Sequence, residues 1–390
     1  MVRTLAFLAD WFSPGVRAGG PIRSCSNLAE LLQDTNAVSV LTSCYDLGVT
    51  EPYKGVPLSS WTAWRGVQVF YAGSSLNRIR ETTRVLWKLR LDRESSLYLN
   101  SMFSFAGTLF PLVIRKLWMC RFRTVLAPRG MLKSSALAHK SWKKRPLLAL
   151  LRWTGLTRGV VFHATSEDEV AEIKATFPGS EIVQIPNVPA CPVSNLTHSN
   201  KQLGAVRLLF VGRIHPIKNL LFLLQVLKNV RCSVSLEVVG PEEDQKYVTL
   251  CREAAASLPP NIRVEFLGAQ TEDVIQSKLK ETDAFVLPTE GENFGHAIFE
   301  AFAAGVPVII SDRTMWRNLT DRCAGWDLSL QNPVAFAQAI ESIATMGPDE
   351  HQNWKFGALQ VARDFLASAD LKRKYEALFW PQSRDEAEQR

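Results

Sequence analysis

AFVLPTEGENFGHAIFEAFAAGVPVIIS, residues 284–311, sets two short apolar runs on either side of a helix built from small residues. AFVLP (284–288) and VPVIIS (306–311) have the length and continuous apolar character of strands covered on both faces. A strand, a helix and a strand in that order make a unit of a parallel α/β sheet. The stretch also carries Glu292 and Glu300, eight positions apart. On one continuous helix, about 100° per residue would leave them roughly 80° apart. The spacing therefore predicts Glu292 in the strand-to-helix loop and Glu300 within the helix, with Gly295 allowing a ligand to come close at the helix start.

The same alternation extends through the second half. VRLLFVG (206–212), SLEVVG (235–240) and IRVEFLG (262–268) read as strands. NLLFLLQVLKNV (219–230), a polar stretch near 242–257 and TEDVIQSKLKETD (271–283) read as the helices between them. The first half repeats the pattern with TLAFLAD (4–10), AVSVLTS (37–43), VQVFYA (67–72), TVLAP (124–128), VVFHATS (160–166) and EIVQIPN (181–187), and with a helix over 21–34. Ser166 and Glu169 have capping-box spacing, which starts a helix just after Ser166. The proline- and Asn/Ser-rich run 186–204 reads as a linker. The expected organisation is an N-terminal domain over 1–188, a second domain over 203–368, and a C-terminal helix and tail over 369–390 returning to the first. Ligands of such sheets bind at the carboxyl ends of the strands, so two facing domains would place a cleft there.

The 390 residues suit two domains, and 46% hydrophobic with 21% charged residues is a globular composition. Seven scattered cysteines without metal-ligand spacing suggest buried thiols in a reducing compartment. The N-terminus reads as a first strand rather than a signal peptide. The uncharged run 95–114 contains Asn100 and Pro111, and reads as a buried strand followed by a helix. From Ser95 to Ser166 there is no Asp or Glu, but there are twelve Lys and Arg, leaving the rest of the chain at −5 against the whole chain's +7. Such a block attracts anions: nucleic acid, anionic lipid or a phosphorylated substrate. Without a nucleic-acid-binding module beside it, a nucleic-acid partner is not expected.

Three loops that follow strands carry candidate chemistry. In VGRIHPIKNL (211–220), Gly212 ends a strand, while Arg213 and Lys218 precede a helix; two cations and a helix N-terminus suit a diphosphate. An ordinary strand-Gly-Arg loop is the alternative there. Glu292 and Glu300 can accept hydrogen bonds from ribose or sugar hydroxyls, and Glu300 lies in an apolar run where a charge needs a partner. AGGPIRS (18–24) puts Gly19 and Gly20 between a strand and a helix; without the full Gly-x-Gly-x-x-Gly pattern it is either a phosphate- or sugar-facing loop or a plain turn. No Asp-x-Asp occurs, which leaves a metal-bridged diphosphate unsupported.

GRIHPIKN followed about eighty residues later by PTEGENFGHAIFEAFAAGVPVI resembles the retaining nucleotide-sugar glycosyltransferases of family 4, which have the GT-B fold of two Rossmann-like domains. The similarity extends to the Gly-Gly loop, APRGML, HATSEDE and IPN. The resemblance implies that Arg213 and Lys218 hold the donor diphosphate, Glu300 the donor ribose and Glu292 the transferred sugar. It implies that the amides of Asn293, Phe294 and Gly295 line the pocket with Gly212, and that Gly19 and Gly20 close on the donor. Many relatives carry a histidine where this chain has Arg129, so Arg129 and His163 are the acceptor-side candidates, although His163 reads more readily as a structural histidine.

The expected activity is metal-independent sugar transfer with retention, without a cofactor, to a lipid-linked or glycan acceptor of the kind met in polysaccharide and lipopolysaccharide biosynthesis. The expected location is the cytoplasm, including the inner membrane face. WKKRPLLALLRWTGLTR (142–158) mixes cations with Leu and Trp at near-helical spacing, as in a helix at an anionic membrane surface or one packed inside a domain. A nucleotide-sugar epimerase or phosphorylase of the same fold is the competing enzyme, and a sugar-nucleotide-binding protein the competing non-enzyme.

Overall fold

A computed structural model of the chain divides it into two compact units, residues 1–188 with 370–390, and residues 189–369. The structure describes residues 3–133, 137, 141–190, 196, 198 and 201–381. Lys140, Cys191, much of the 186–204 run and the last nine residues lie outside them, as does the side chain of Lys143.

In the first unit, eight strands form one sheet in the order β3-β4-β2-β1-β5-β6-β7-β8. They are β1 (Thr4–Leu8), β2 (Ala37–Ser43), β3 (Trp61–Trp64), β4 (Val67–Ala72), β5 (Ser95–Leu99), β6 (Arg123–Leu126), β7 (Val160–Ala164) and β8 (Ile182–Gln184). All neighbours are parallel except β3, an antiparallel edge strand. Every residue of β5 and β7 is buried, the expected state of a strand with helices on both faces. The helices are α1 (Gly20–Leu32), α2 (Ser75–Leu89), α3 (Phe110–Leu117), α4 (Ser141–Thr154) and α5 (Glu167–Thr176). A π-helical turn over Phe105–Leu109 leads into α3. The uncharged 95–114 run is thus a strand, this turn and the start of α3.

The 166–169 capping box is half formed. Ser166 Oγ accepts from the Glu169 amide at 3.3 Å, but the Glu169 carboxylate turns to Gly130 N and to Thr165 N and Oγ1. The acid that sequence spacing assigns to a cap instead ties β7 to the loop after β6.

In the second unit, six parallel strands run in the order β11-β10-β9-β12-β13-β14. They are β9 (Ala205–Val211), β10 (Ser233–Val239), β11 (Ile262–Gly268), β12 (Ala284–Leu287), β13 (Val308–Ser311) and β14 (Gly325–Leu328). Helices α6 (Leu220–Leu227), α7 (Gln245–Ala256), α8 (Glu272–Glu281), α9 (His296–Ala303), α10 (Pro333–Thr345) and α11 (Pro348–Ala369) cover them. β14 was not foreseen, because Gly-Trp-Asp-Leu has no strand pattern. Its glycine serves close approach, since a Cβ at Gly325 would lie 2.1 Å from Val308 O. An aromatic cluster anchors α9: Phe294 packs on Trp316 at 5.6 Å and Phe365 at 5.5 Å, and Trp316 Nε1 donates to Phe294 O at 2.7 Å. The last helix, α12 (Leu371–Phe379), belongs to the first unit, where Tyr375 packs against His163.

Cys25, Cys44, Cys120, Cys232, Cys251 and Cys323 are free thiols. Cys323 is exposed, so not all of them are the buried thiols expected.

Candidate functional site

The second sheet reverses its direction of growth between β9 and β12. From β9 the chain adds β10 and β11 on one side, then returns to place β12, β13 and β14 on the other. That reversal leaves a crevice at the carboxyl ends of β9 and β12, where open parallel sheets bind ligands. Gly212, Arg213 and Lys218 follow β9, and Glu292 follows β12, so the crevice gathers most of the sequence-predicted residues of this unit.

Local chemistry sets each of them. The main chain of Gly212 donates to Val239 O at 2.9 Å, and the Gly212 carbonyl sits so close to Gly240 that a Cβ there would lie 1.9 Å away. His215 Nδ1 accepts from Ile217 N at 3.2 Å and starts a 3₁₀ turn over Pro216–Lys218. Asn219, left-handed at φ 59°, ends the turn and starts α6. Ile217 O then accepts from Glu290 N at 2.8 Å and Thr289 Oγ1 at 2.9 Å. Ser311 Oγ donates to Thr289 O at 2.5 Å, and Glu292 N donates to Arg313 O at 3.1 Å. The loops after β9, β12 and β13 are therefore stitched into one surface.

On that surface the Lys218 ammonium pairs with Glu292 Oε1, both side chains being mostly buried. Burial, and after it the Arg213 guanidinium, pull the Lys218 ammonium from its usual range down to about 7. Contact with the Glu292 carboxylate favours the charged form. Arg213 is half-exposed and reaches Glu243 at 2.6 Å.

Glu292 lies in the loop and Glu300 in the middle of α9, as their spacing suggested. Glu300 is 2% exposed, among Ile298, Phe299, Ala301 and Phe302. Gly295 starts α9 at φ 77°, and a Cβ on it would come within 2.8 Å of Ile298 Cδ1. The left-handed φ favours glycine there. Gly295 at the N-cap offers no side chain to cap α9, and a helix start carries the partial positive charge that suits an anion. Phe294 is 2% exposed, with its ring inside the aromatic cluster, which keeps the ring from a ligand. Asn293 lies in the same loop.

The remaining candidates belong to the first unit. Gly19, at φ 63°, precedes α1, and Gly20 is its first residue, also without a side-chain cap. Arg129, left-handed at φ 57°, follows β6. Its Nε donates to Asn100 Oδ1 at 2.7 Å, its Nη2 to Tyr98 OH at 2.8 Å and its Nη1 to Asn187 Oδ1. Tyr98 OH lies 2.8 Å from His163 Nδ1, and His163 Nε2 lies 2.9 Å from Ile185 O. A carbonyl can only accept, so Nε2 carries the proton and Nδ1 accepts from Tyr98. His163 is fully buried, and burial, then Arg129, push its imidazole down to about 3. It is held neutral inside a closed chain of hydrogen bonds. Sequence reasoning missed Asn100, Asn187 and Tyr98; the signal for Asn187 was its place directly after a strand, in IPN.

Residues 205–346 match the family model described as glycosyl transferases group 1. Among curated proteins, phosphatidyl-myo-inositol mannosyltransferase of Mycobacterium leprae is 32% identical over 212 residues, 51% of this chain and 54% of that one. The chain spans about half the length of the curated relatives it matches. Among solved structures, sucrose-phosphate synthase of Thermosynechococcus elongatus superposes with a TM-score of 0.73 at 16% identity, over 97% of this chain and 99% of that one. HepE of Anabaena, solved with UDP-glucose, superposes with a TM-score of 0.66 at 16% identity, over 96% and 99%. The likeness to both is one of fold. Two parallel-sheet α/β units of this kind make the GT-B fold, and residues 205–346 of this chain are a domain of the glycosyl transferases group 1 family.

Proposed function

We propose that the chain is a glycosyltransferase that moves a sugar from a nucleotide-sugar donor to a hydroxyl acceptor with retention of configuration. The observation that carries this is the switch point of the second unit. There Lys218 and Glu292 meet beside Arg213 and the glycine-led start of α9, within the stretch that matches the group 1 model. The diphosphate would lie against Lys218, Arg213 and the α9 amides. Glu292 would accept from hydroxyls of the transferred sugar, and Glu300 from the ribose.

As the bond from the anomeric carbon to the diphosphate oxygen breaks, negative charge grows on that oxygen. Preformed cations and amides stabilise it there without reorganising. The acceptor oxygen attacks on the face the diphosphate leaves, its proton passes to the departing phosphate, and the anomeric configuration is kept. These cations would do the work of a divalent metal, so full activity in excess EDTA is expected. Loss of activity in EDTA would contradict the metal-free part. An α-linked product from an α-linked donor, read by NMR of the anomeric proton, tests retention; a β-linked product contradicts it.

The Lys218 ammonium supplies a pH test. Burial lowers it to about 7 in the free protein, and a bound diphosphate must raise it again. Donor binding should therefore take up protons above pH 7, and affinity should fall as pH rises from 7 to 9. Calorimetry in buffers of different ionisation enthalpy reads that uptake directly. A pH-independent Kd with no proton uptake would contradict it.

We further propose that the acceptor is carried at an anionic membrane surface. Helix α4 is apolar on two faces. Leu148 and Leu151 are buried, while Trp142 and Trp153, three turns apart, are 73% and 86% exposed and Leu150 lies beside them. Arg145 and Arg152 flank that outer face. Lys116 of α3 donates to Thr154 O at 2.6 Å, which brings exposed Leu117 and Met119 to the end of α4. Exposed Trp and Leu bordered by arginine suit the headgroup boundary of an anionic bilayer. Among the described residues no helix is long and apolar enough to cross a membrane. Flotation with phosphatidylglycerol liposomes should bring the protein up, and Trp153→Glu with Trp142→Glu should reduce the bound fraction severalfold; flotation independent of anionic lipid contradicts the proposal.

A further inference from the structure

The loops that carry Lys218 and Glu292 also form the wall of a second space. Ile217 O accepts from Glu290 N at 2.8 Å and from Thr289 Oγ1 at 2.9 Å, so the turn over Pro216–Lys218 and the loop after β12 run as one hydrogen-bonded wall. Lys218 and Glu292 meet across that wall. Their neighbours Ile217, Asn219 and Glu290 instead line a cavity of about 460 Å³, a volume within the usual range for a small-ligand site. The crevice at the carboxyl ends of β9 and β12 thus has a pocket beside it, within the same unit, that shares its wall but neither member of its ion pair.

The other walls come from three elements. The first turn of α6 gives Leu221 and Phe222, the start of α7 gives Tyr247, and the segment after β14 gives Leu330. Contacts within the chain hold them in place. Phe222 packs edge-on against Phe336 of α10 at 5.1 Å, and Tyr247 OH accepts from Leu221 N at 3.0 Å. The cavity is therefore preformed and mostly apolar.

Its charge has one sign. Glu290 is exposed, and its Oε1 accepts from Asn219 Nδ2 at 3.4 Å, a long bond that orients the carboxylate without neutralising it. Gln225, exposed on α6, adds an uncharged amide. Among the described residues that line the cavity, none is Lys, Arg or His. One carboxylate beside an apolar wall repels anions and attracts a cation that brings an apolar body with it. Aromatic residues in the wall add to that preference. Because Glu290 is exposed, its ion pair contributes modestly, and the affinity expected is millimolar.

We propose that this cavity is an effector site for a small organic ammonium ion, its cation on Glu290 and its aromatic or alkyl body against Phe222 and Leu330. Occupancy would brace Ile217 and Glu290, whose hydrogen bond joins the two loops, and so favour the arrangement in which Lys218 meets Glu292. Nucleotide sugar and ammonium ion would then tighten each other's binding by the same factor, a coupling that rests on the function proposed above.

Saturation-transfer NMR tests the site with 2-phenylethylammonium, and with 2-phenylethanol and 3-phenylpropionate as neutral and anionic controls, each at millimolar concentration. With the wild-type chain the ammonium ion should give severalfold the signal of either control. Glu290→Gln keeps the shape and removes the charge, while Gln225→Lys supplies a cation of the chain's own from an exposed helix position. Both variants should lose most of the ammonium signal while keeping the wild-type melting temperature within about 3 °C. Equal signals for the ammonium ion and the controls, or an undiminished ammonium signal in either variant, overturns the site. Calorimetry reads the coupling: saturating ammonium should lower the Kd of a nucleotide sugar about threefold in the wild type and leave it unchanged in Glu290→Gln. An unchanged Kd in the wild type overturns the coupling. A chain that binds the ammonium ion through Glu290 but no nucleotide sugar overturns the transferase reading, and the coupling with it, and leaves the site standing.

Discussion

Lys218→Ala is expected to lower kcat/KM for the donor by about 10²- to 10³-fold, the range found when one preformed group facing developing charge is removed. Two effects combine in that variant, and they separate experimentally. The first is the lost ammonium against the diphosphate. The second is that Glu292, mostly buried and paired with Lys218, is left as an uncompensated charge, which destabilises the fold. Removing both partners relieves the second effect alone. The double variant Lys218→Ala with Glu292→Gln should therefore recover most of the melting temperature lost in Lys218→Ala. It should recover none of the activity. Recovery of activity along with stability would mean that the pair holds the loops together and does not meet the donor.

The two glutamates should respond differently to loss of charge. Glu300→Gln is expected to weaken donor binding by about 10- to 100-fold, since a hydrogen bond to a charged group contributes about 1.5–3 kcal/mol. Its turnover at saturating donor should change little, because the ribose bond is the same in ground state and transition state. Glu292→Gln should instead lower kcat with a smaller change in donor Kd. Its carboxylate sits at the switch point against Lys218, where the reacting sugar and the diphosphate would meet. Steady-state kinetics with donor titrations on both variants reads this split. The reverse pattern would show the two roles exchanged.

Much of this was legible in the sequence because the strands that build each sheet are short apolar runs. AVSVLTS and VQVFYA are strands from end to end, and the loops after VRLLFV and AFVL carry the cations and acids of the candidate site. The eight-residue spacing favoured Glu292 in a loop and Glu300 on a helix, because on one continuous helix the two would lie about 80° apart. What stayed hidden depends on long-range pairing. Trp61–Trp64 and Gly325–Leu328 have no strand pattern and are strands only because a neighbour offers a free edge. The ion pair between Lys218 and Glu292 joins residues 74 positions apart, and the bond from Ser104 to Asp10 spans 94. No local spacing rule reaches that far. Arg129 stood out as a departure from a family pattern, but its grip on Asn100 and Asn187 appears only when the ends of β5, β6 and β8 are side by side. Trp142 and Trp153 matched both a packed helix and a membrane-facing one; the structure buries Leu148 and Leu151 on one face of α4 and exposes the two tryptophans.

The central claim is that the switch point of the second unit holds a nucleotide sugar. Calorimetric titration of UDP-, GDP- and ADP-sugars into the wild-type chain and into the double variant at Lys218 and Glu292 addresses it directly. The account predicts that at least one donor binds the wild type with Kd between about 1 μM and 1 mM, and that the double variant binds it at least about tenfold more weakly, a loss of about 1.4 kcal/mol. If no nucleotide sugar binds, or if the double variant binds as tightly as the wild type, the account is contradicted.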